Sequence, residues 1–139
     1  MASILKVDEM QGVTSAGNIT ITDGTTTMKM QSGMAKAFAK GSFHDTTIEK
    51  SLNVSSATDN GTGDTTYTLT NAMDSADFAV AFGRGRSASG YTNAKTGFML
   101  IRDNVTLPTS TAVRLGGFNS EATAFDFDIM CCTWLGDLA

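Results

Sequence analysis

Residues 51–83 read SLNVSSATDNGTGDTTYTLTNAMDSADFAVAFG. Leu52 and Val54, Tyr67 and Leu69, and Phe78, Val80 and Phe82 recur at every second position, with Asn, Thr or Ala between them. A period of two is the mark of half-buried strands. The acidic, glycine-rich centre, DNGTGD, admits three readings: a cation loop, a phosphate cradle or a turn. Asp59, Asn60 and Asp64 offer oxygen ligands, but an EF-hand would need a bidentate Glu at the twelfth position, which is Thr70. No phosphate-loop signature is present. Asn60-Gly61 is a strong short hairpin signal because both residues tolerate positive φ. The stretch therefore predicts a hairpin, with Asp59 and Asp64 carried on its turn in solvent.

The same period extends in both directions. Ile19 and Ile21, Met28 and Met30, and Phe125, Phe127, Ile129 and Cys131 each alternate with polar residues, Asp126 and Asp128 in the last case. Phe98, Leu100, Val113 and Leu115 are the expected inward residues of two shorter runs. Turn-forming clusters separate them: TDG, SASG, NAKTG, LPTST and GG. SGMAKAFAKGSF suits a strand or one or two turns of helix. The pattern predicts an all-β protein, an antiparallel β-sandwich of jelly-roll type. Residues 1–32 are poor in aromatics, Phe38 being the first of the chain, and could not close a core alone. They are expected to form an extended arm or hairpin that docks on something else, with residues 33–139 as the sandwich.

Composition narrows the function. Charged residues are 17% of the chain, below the usual quarter, and the net charge is −4. A mildly acidic chain without a dense basic patch is not built for phosphate backbones, so no nucleic-acid partner is expected. No apolar run approaches the ~20 residues of a membrane helix, and no signal peptide is visible. The two cysteines, Cys131 and Cys132, are adjacent; on a strand they point to opposite faces and cannot bridge each other. Both are expected to be small buried residues of a chain made in a reducing cytoplasm.

Chemistry-bearing patterns are few. The sole histidine, His44, sits in GSFHDTT, and no nucleophile elbow or zinc-protease motif accompanies it. GRGRSASG places Gly83 and Gly85 in a dinucleotide-like spacing, but the third glycine position is Ala88. Asp126 and Asp128 share a strand face, as a glycosidase pair would, yet Phe125 and Phe127 make that face the ordinary solvent side. No cofactor, metal site or catalytic set is expected.

The wording of NVSS, TDNGTGD and TNAM within residues 51–83, with the opening MASILKVDEMQGVTSAGNITITDG, resembles tail-fibre and related virion proteins of tailed bacteriophages, especially those of marine bacteria. The resemblance covers residues 1–24 and 51–83. It implies a non-enzymatic β-sandwich module, usually trimeric, attached to other virion proteins through its N-terminal segment and presenting its distal domain to the host surface. Synthesis in the host bacterial cytoplasm and residence in the virion follow. A capsid decoration or head-fibre protein of the same fold is the alternative, and a polysaccharide-acting enzyme a more distant one. The loops expected to touch a host-surface glycan carry Arg84, Arg86, Tyr91 and Asn119. Aromatic stacking and forked donors suit sugars and acidic groups.

Overall fold

A computed structural model of the chain describes residues 19–23, 25–29, 34–85, 97–102 and 107–139. The chain divides into two compact units, Met1–Met34 and Ala35–Ala139. In the first, β1 (Thr20–Asp23) and β2 (Thr26–Lys29) form an antiparallel hairpin with Ile21 opposite Met28. The second unit contains eight strands: β3 (Ala35–Gly41), β4 (Ile48–Leu52), β5 (Val54–Gly61), β6 (Asp64–Leu69), β7 (Ala79–Gly85), β8 (Gly97–Ile101), β9 (Ala112–Asn119) and β10 (Ile129–Leu135). They build two antiparallel four-stranded sheets, ordered β4-β3-β10-β7 and β5-β6-β9-β8. The expected β-sandwich is the fold of this unit. Within SGMAKAFAKGSF, Ala35–Gly41 form a strand, with Ala37 and Ala39 small enough to lie under the facing sheet while Phe38 and Lys40 point out.

Each sheet buries one face, as antiparallel sandwiches do. Ala37, Ala39, Met130, Cys132 and Trp134 from one sheet meet Val54, Tyr67, Leu69, Val113 and Leu115 from the other. Trp134, the sole tryptophan, is 0% exposed and lies tilted against Tyr67, ring centroids 6.0 Å apart. Phe43, Met73 and Phe127 close the ends of the core. The C-terminal residues fold back onto the loop after β6: Asp74 N–H donates to Asp137 O and Ala139 N–H to Ala72 O.

Three expectations about strand phase are corrected. Leu52 and Val54 do not share a face. Asn53 between them takes φ 55°, ending β4 and starting β5 in the opposite sheet, so Val54 is buried and Leu52 is 50% exposed. Asn tolerates this left-handed conformation better than most residues. Its carboxamide oxygen accepts from Asn71 N–H at 2.7 Å and its Nδ2 donates to Asn71 O, pinning the corner. In β8 the inward residues are Met99 and Ile101, packed on the core, not Phe98 and Leu100. In the last run a bend at Asp128 shifts the phase, so Phe127 is buried but Met130, Cys132 and Trp134 follow it inward rather than Ile129 and Cys131.

Cys131 is therefore exposed, correcting the expectation that both thiols are buried; Cys132 is buried and both are free. Burial pushes the Cys132 thiol up to about 12, with its Sγ aimed at Ala39 O, 3.8 Å away. A thiol with so small a thiolate fraction is inert. The native protein should give one fast thiol with a disulfide reagent such as DTNB, assigned to Cys131 by its loss in Cys131→Ser, and two after unfolding. Two fast native thiols would contradict this packing.

Candidate functional site

The DNGTGD hairpin forms, but its turn lies two residues later in the chain than expected. The two turn residues are Thr62 and Gly63, between the pair Gly61–Asp64; Asn60 stays in β5 with Nδ2 donating to Thr66 Oγ1 at 2.8 Å. Asp59 remains exposed and accepts from Gly61 N–H at 2.8 Å.

Asp64 is not in solvent. It lies on the outer face of β6 yet is 5% exposed, because two arginines cover it. Arg114 on β9 forks onto it, Nε to Oδ1 and Nη2 to Oδ2, both at 2.7 Å. Arg102, just past β8, donates Nη1 to Oδ2 at 2.7 Å. Burial raises the carboxyl pKa, but the Arg114 hydrogen bonds and the charges of Arg102 and Arg114 outweigh it and hold the group below the usual carboxylate range. This arrangement is a lock across three strands, with no free carboxylate oxygen for a proton transfer.

Order passes from the lock along the sheet. The Arg102 guanidinium lies over the Phe118 ring, 5.7 Å from its centroid, and Phe118 stacks on Phe98 at 5.6 Å with planes 17° apart. Phe98 is 46% exposed. It forms one wall of a groove of about 320 Å³, lined also by Phe82, Arg84, Gly97 and Met99, where edge strands β7 and β8 run past each other. Arg84 is held from two directions. Its Nε donates to Gly97 O at 3.0 Å, and its guanidinium lies over the Phe127 ring, 5.1 Å from the centroid.

Of the four residues predicted to touch a host surface, Arg84 alone is described at an exposed position; Arg86 and Tyr91 lie outside the described residues. Asn119 is 4% exposed, and its Oδ1 accepts from Glu121 N–H at 2.9 Å and Thr123 N–H at 3.0 Å. That carboxamide organises the turn after β9, in which Ala122 takes φ 57°. Its oxygen is spent inside the protein, so Asn119 is withdrawn as a surface contact. The sequence signal for this was Asn followed by short polar residues, an Asx-turn pattern. Phe98 and Phe82 went unnoticed as site residues because a strand aromatic reads as core. His44 is exposed, its backbone N–H donating to Ser42 Oγ. Among the described residues no three His, Cys, Asp or Glu side chains converge as a metal set would require. No family of known proteins, no curated protein and no solved structure matches this chain.

The two outer faces of the sandwich differ. On the β5-β6-β9-β8 side, Ser56, Thr58, Thr66, Thr68 and the arginine lock make a largely polar surface, apolar only around Phe98 and Phe118. On the β4-β3-β10-β7 side, Leu52, Phe38, Thr133 and Ala81 lie in one row across all four strands, flanked on one side by Ala35, Leu135 and Ala79 and on the other by Lys50, Lys40, Cys131 and Gly83. Leu52, Ala81, Ala35 and Ala79 are exposed.

Proposed function

We propose that this chain is a non-enzymatic structural subunit of a bacteriophage virion, most consistent with a homotrimeric tail-fibre or tail-appendage protein. It docks on other virion proteins through residues 1–32 and presents its sandwich to the host surface. The resemblance of residues 1–24 and 51–83 supplies the setting, and the compact unit 1–34, separate from the sandwich unit, supports an attachment role for the N-terminal segment.

The observation that carries the oligomeric part is the row Leu52–Phe38–Thr133–Ala81, apolar but for Thr133, on an outer sheet face. An outer face in water is ordinarily polar, and exposed apolar side chains gathered on one favour a contact surface. Small residues along β7 keep it flat enough for another sheet face to approach.

Light scattering on the purified protein should give a mass near three times the 14.6 kDa protomer. Leu52→Asp should shift it to monomer without unfolding the sandwich, since Leu52 lies outside the core. A monomeric wild type at micromolar concentration would overturn the oligomer. Mass spectrometry of separated heads and tails tests the location. Recovery with tails supports the appendage reading, recovery with heads replaces it by the capsid-decoration alternative, and absence from both removes the virion role.

A further inference from the structure

We propose that the groove between β7 and β8 binds a carboxylated sugar, with Arg84 forked on the carboxylate and Phe98 and Phe82 against the pyranose ring. The inference deepens the reading of this chain as a surface-presenting virion module, and rests on it for its biological setting alone.

The groove has the size and mixture of a small-ligand site. At about 320 Å³ it is at the lower end of such cavities, room for one or two sugar rings. Its walls are aromatic and thioether carbon, Phe82, Phe98 and Met99, and the backbone of Gly97. Aromatic walls suit the C–H face of a pyranose. Among the described residues, Arg84 is the sole ionisable one lining it. A cation on the wall of a cleft favours an anionic ligand over a neutral one, and the chain's net charge of −4 makes such a cation stand out.

Arg84 is also prepared for that task. Among the described residues, its guanidinium makes one hydrogen bond, from Nε to Gly97 O, and Nη1 and Nη2 have no described partner. The Phe127 ring against its other side fixes the plane. A planar fork held in place loses little entropy when it binds a carboxylate, and a charge-assisted pair of this kind is the strong one. The Phe98 wall is stiffened in turn by Phe118 and Arg102 behind it.

The sandwich's other open side is unlike this one. Edge strand β4 carries Glu49 and Lys50, Glu49 being paired with Lys40, and edge strand β5 carries Ser55, Ser56, Thr58, Asp59 and Asn60. Those edges are blunted with polar and charged groups, as free edges usually are. The described residues of β7 and β8 carry no charge except Arg84.

The test is a ligand titration followed by NMR, using the methyl glycosides of galacturonate, glucuronate and N-acetylneuraminate beside the methyl glycoside of galactose. At least one acid should bind at millimolar or better affinity and galactose at least about tenfold more weakly, the worth of one forked contact. The methyl ester of the bound uronide, or the matching ester of the sialoside, should fall to the galactose level with the wild-type protein, which probes the same contact without any substitution. Arg84→Gln should lose the preference for the acid at unchanged thermal midpoint, and Phe98→Ala should weaken acid and neutral sugar alike. Binding of none of the acids, or equal binding of acid and ester, would overturn the proposal. These readouts use the isolated protein, so a failure of the virion location in the head and tail fractions would be seen separately from a failure of the site.

Discussion

Gly63→Ala should destabilise the sandwich by about 3 kcal/mol, measured as a shift of the urea unfolding midpoint at fixed protein concentration. Two costs combine. Gly63 takes φ 63°, the left-handed region, where an L side chain costs about 1–2 kcal/mol. A Cβ there would also lie 2.4 Å from Gly117 O and 2.6 Å from Phe125 N, both backbone atoms that cannot swing aside. The approach is close because the turn is tied to two distant segments. Gly117 N–H donates to Gly63 O at 2.9 Å, Phe125 N–H donates to Gly117 O at 2.9 Å, and Gly63 N–H donates to Asp126 Oδ1. Gly61, two residues earlier, gives the comparison. Its φ is 121°, but a Cβ there meets nothing within 4 Å, so Gly61→Ala should show backbone strain alone and a smaller loss. Equal losses at the two positions would mean that the backbone contact to Gly117 and Phe125 is not what Gly63 serves.

Asp64→Asn should cost about 2–3 kcal/mol at neutral pH, between the worth of an exposed ion pair and that of breaking a buried one. The substitution keeps the shape and removes the charge, leaving the Arg102 and Arg114 guanidiniums facing each other across a site that is nearly covered. The pH dependence follows from the direction of the shift. Asp64 is held below the unfolded value of about 3.9, so its contribution is present in full above that pH and is lost as pH falls through the lower folded value. The gap in urea midpoint between wild type and Asp64→Asn should therefore be full above the unfolded value of about 3.9 and narrow steadily as pH falls below it. A gap that does not narrow in acid would exclude the carboxylate as its source. Arg114→Lys keeps the charge but cannot form the two-pronged contact, and should lose part of the same stability.

The site was partly legible before any fold was known. Arg84 stands out in GRGRSASG as a cation in a glycine-rich stretch, and it does line the groove. Phe98 could not be chosen, since its alternation with Leu100 predicted a core residue and only the pairing of Phe98 with Phe118 shows that this phase faces out. Asp64 was placed in solvent because its neighbours are turn residues. The arginines that bury it are 38 and 50 positions further on, and no local pattern joins them.

The NVSS and TNAM stretches of residues 51–83 also have a structural content. Asn53 and Asn71, from NVSS and TNAM, are hydrogen-bonded partners at the corner where the chain passes from one sheet to the other. Val54 and Met73, beside them, are buried in the core. Those words of the sequence therefore describe a sheet-switching corner.

The period of two, by itself, determined the class of this protein. Alternation along a chain this rich in Thr, Gly and Asn leaves little besides antiparallel sheets with one buried face. Local turn chemistry likewise determined that DNGTGD reverses the chain. What alternation cannot supply is sign. It says that two residues share a face, not which face meets the other sheet, and a single left-handed residue such as Asn53 or a bend such as Asp128 reverses the assignment without disturbing the pattern. The facing of β8, the inward turn of Cys132 and Trp134 in place of Cys131, and the closure of Asp64 beneath two arginines were decided only by tertiary packing. Each depends on which strand lies alongside, and those neighbours are far apart in sequence.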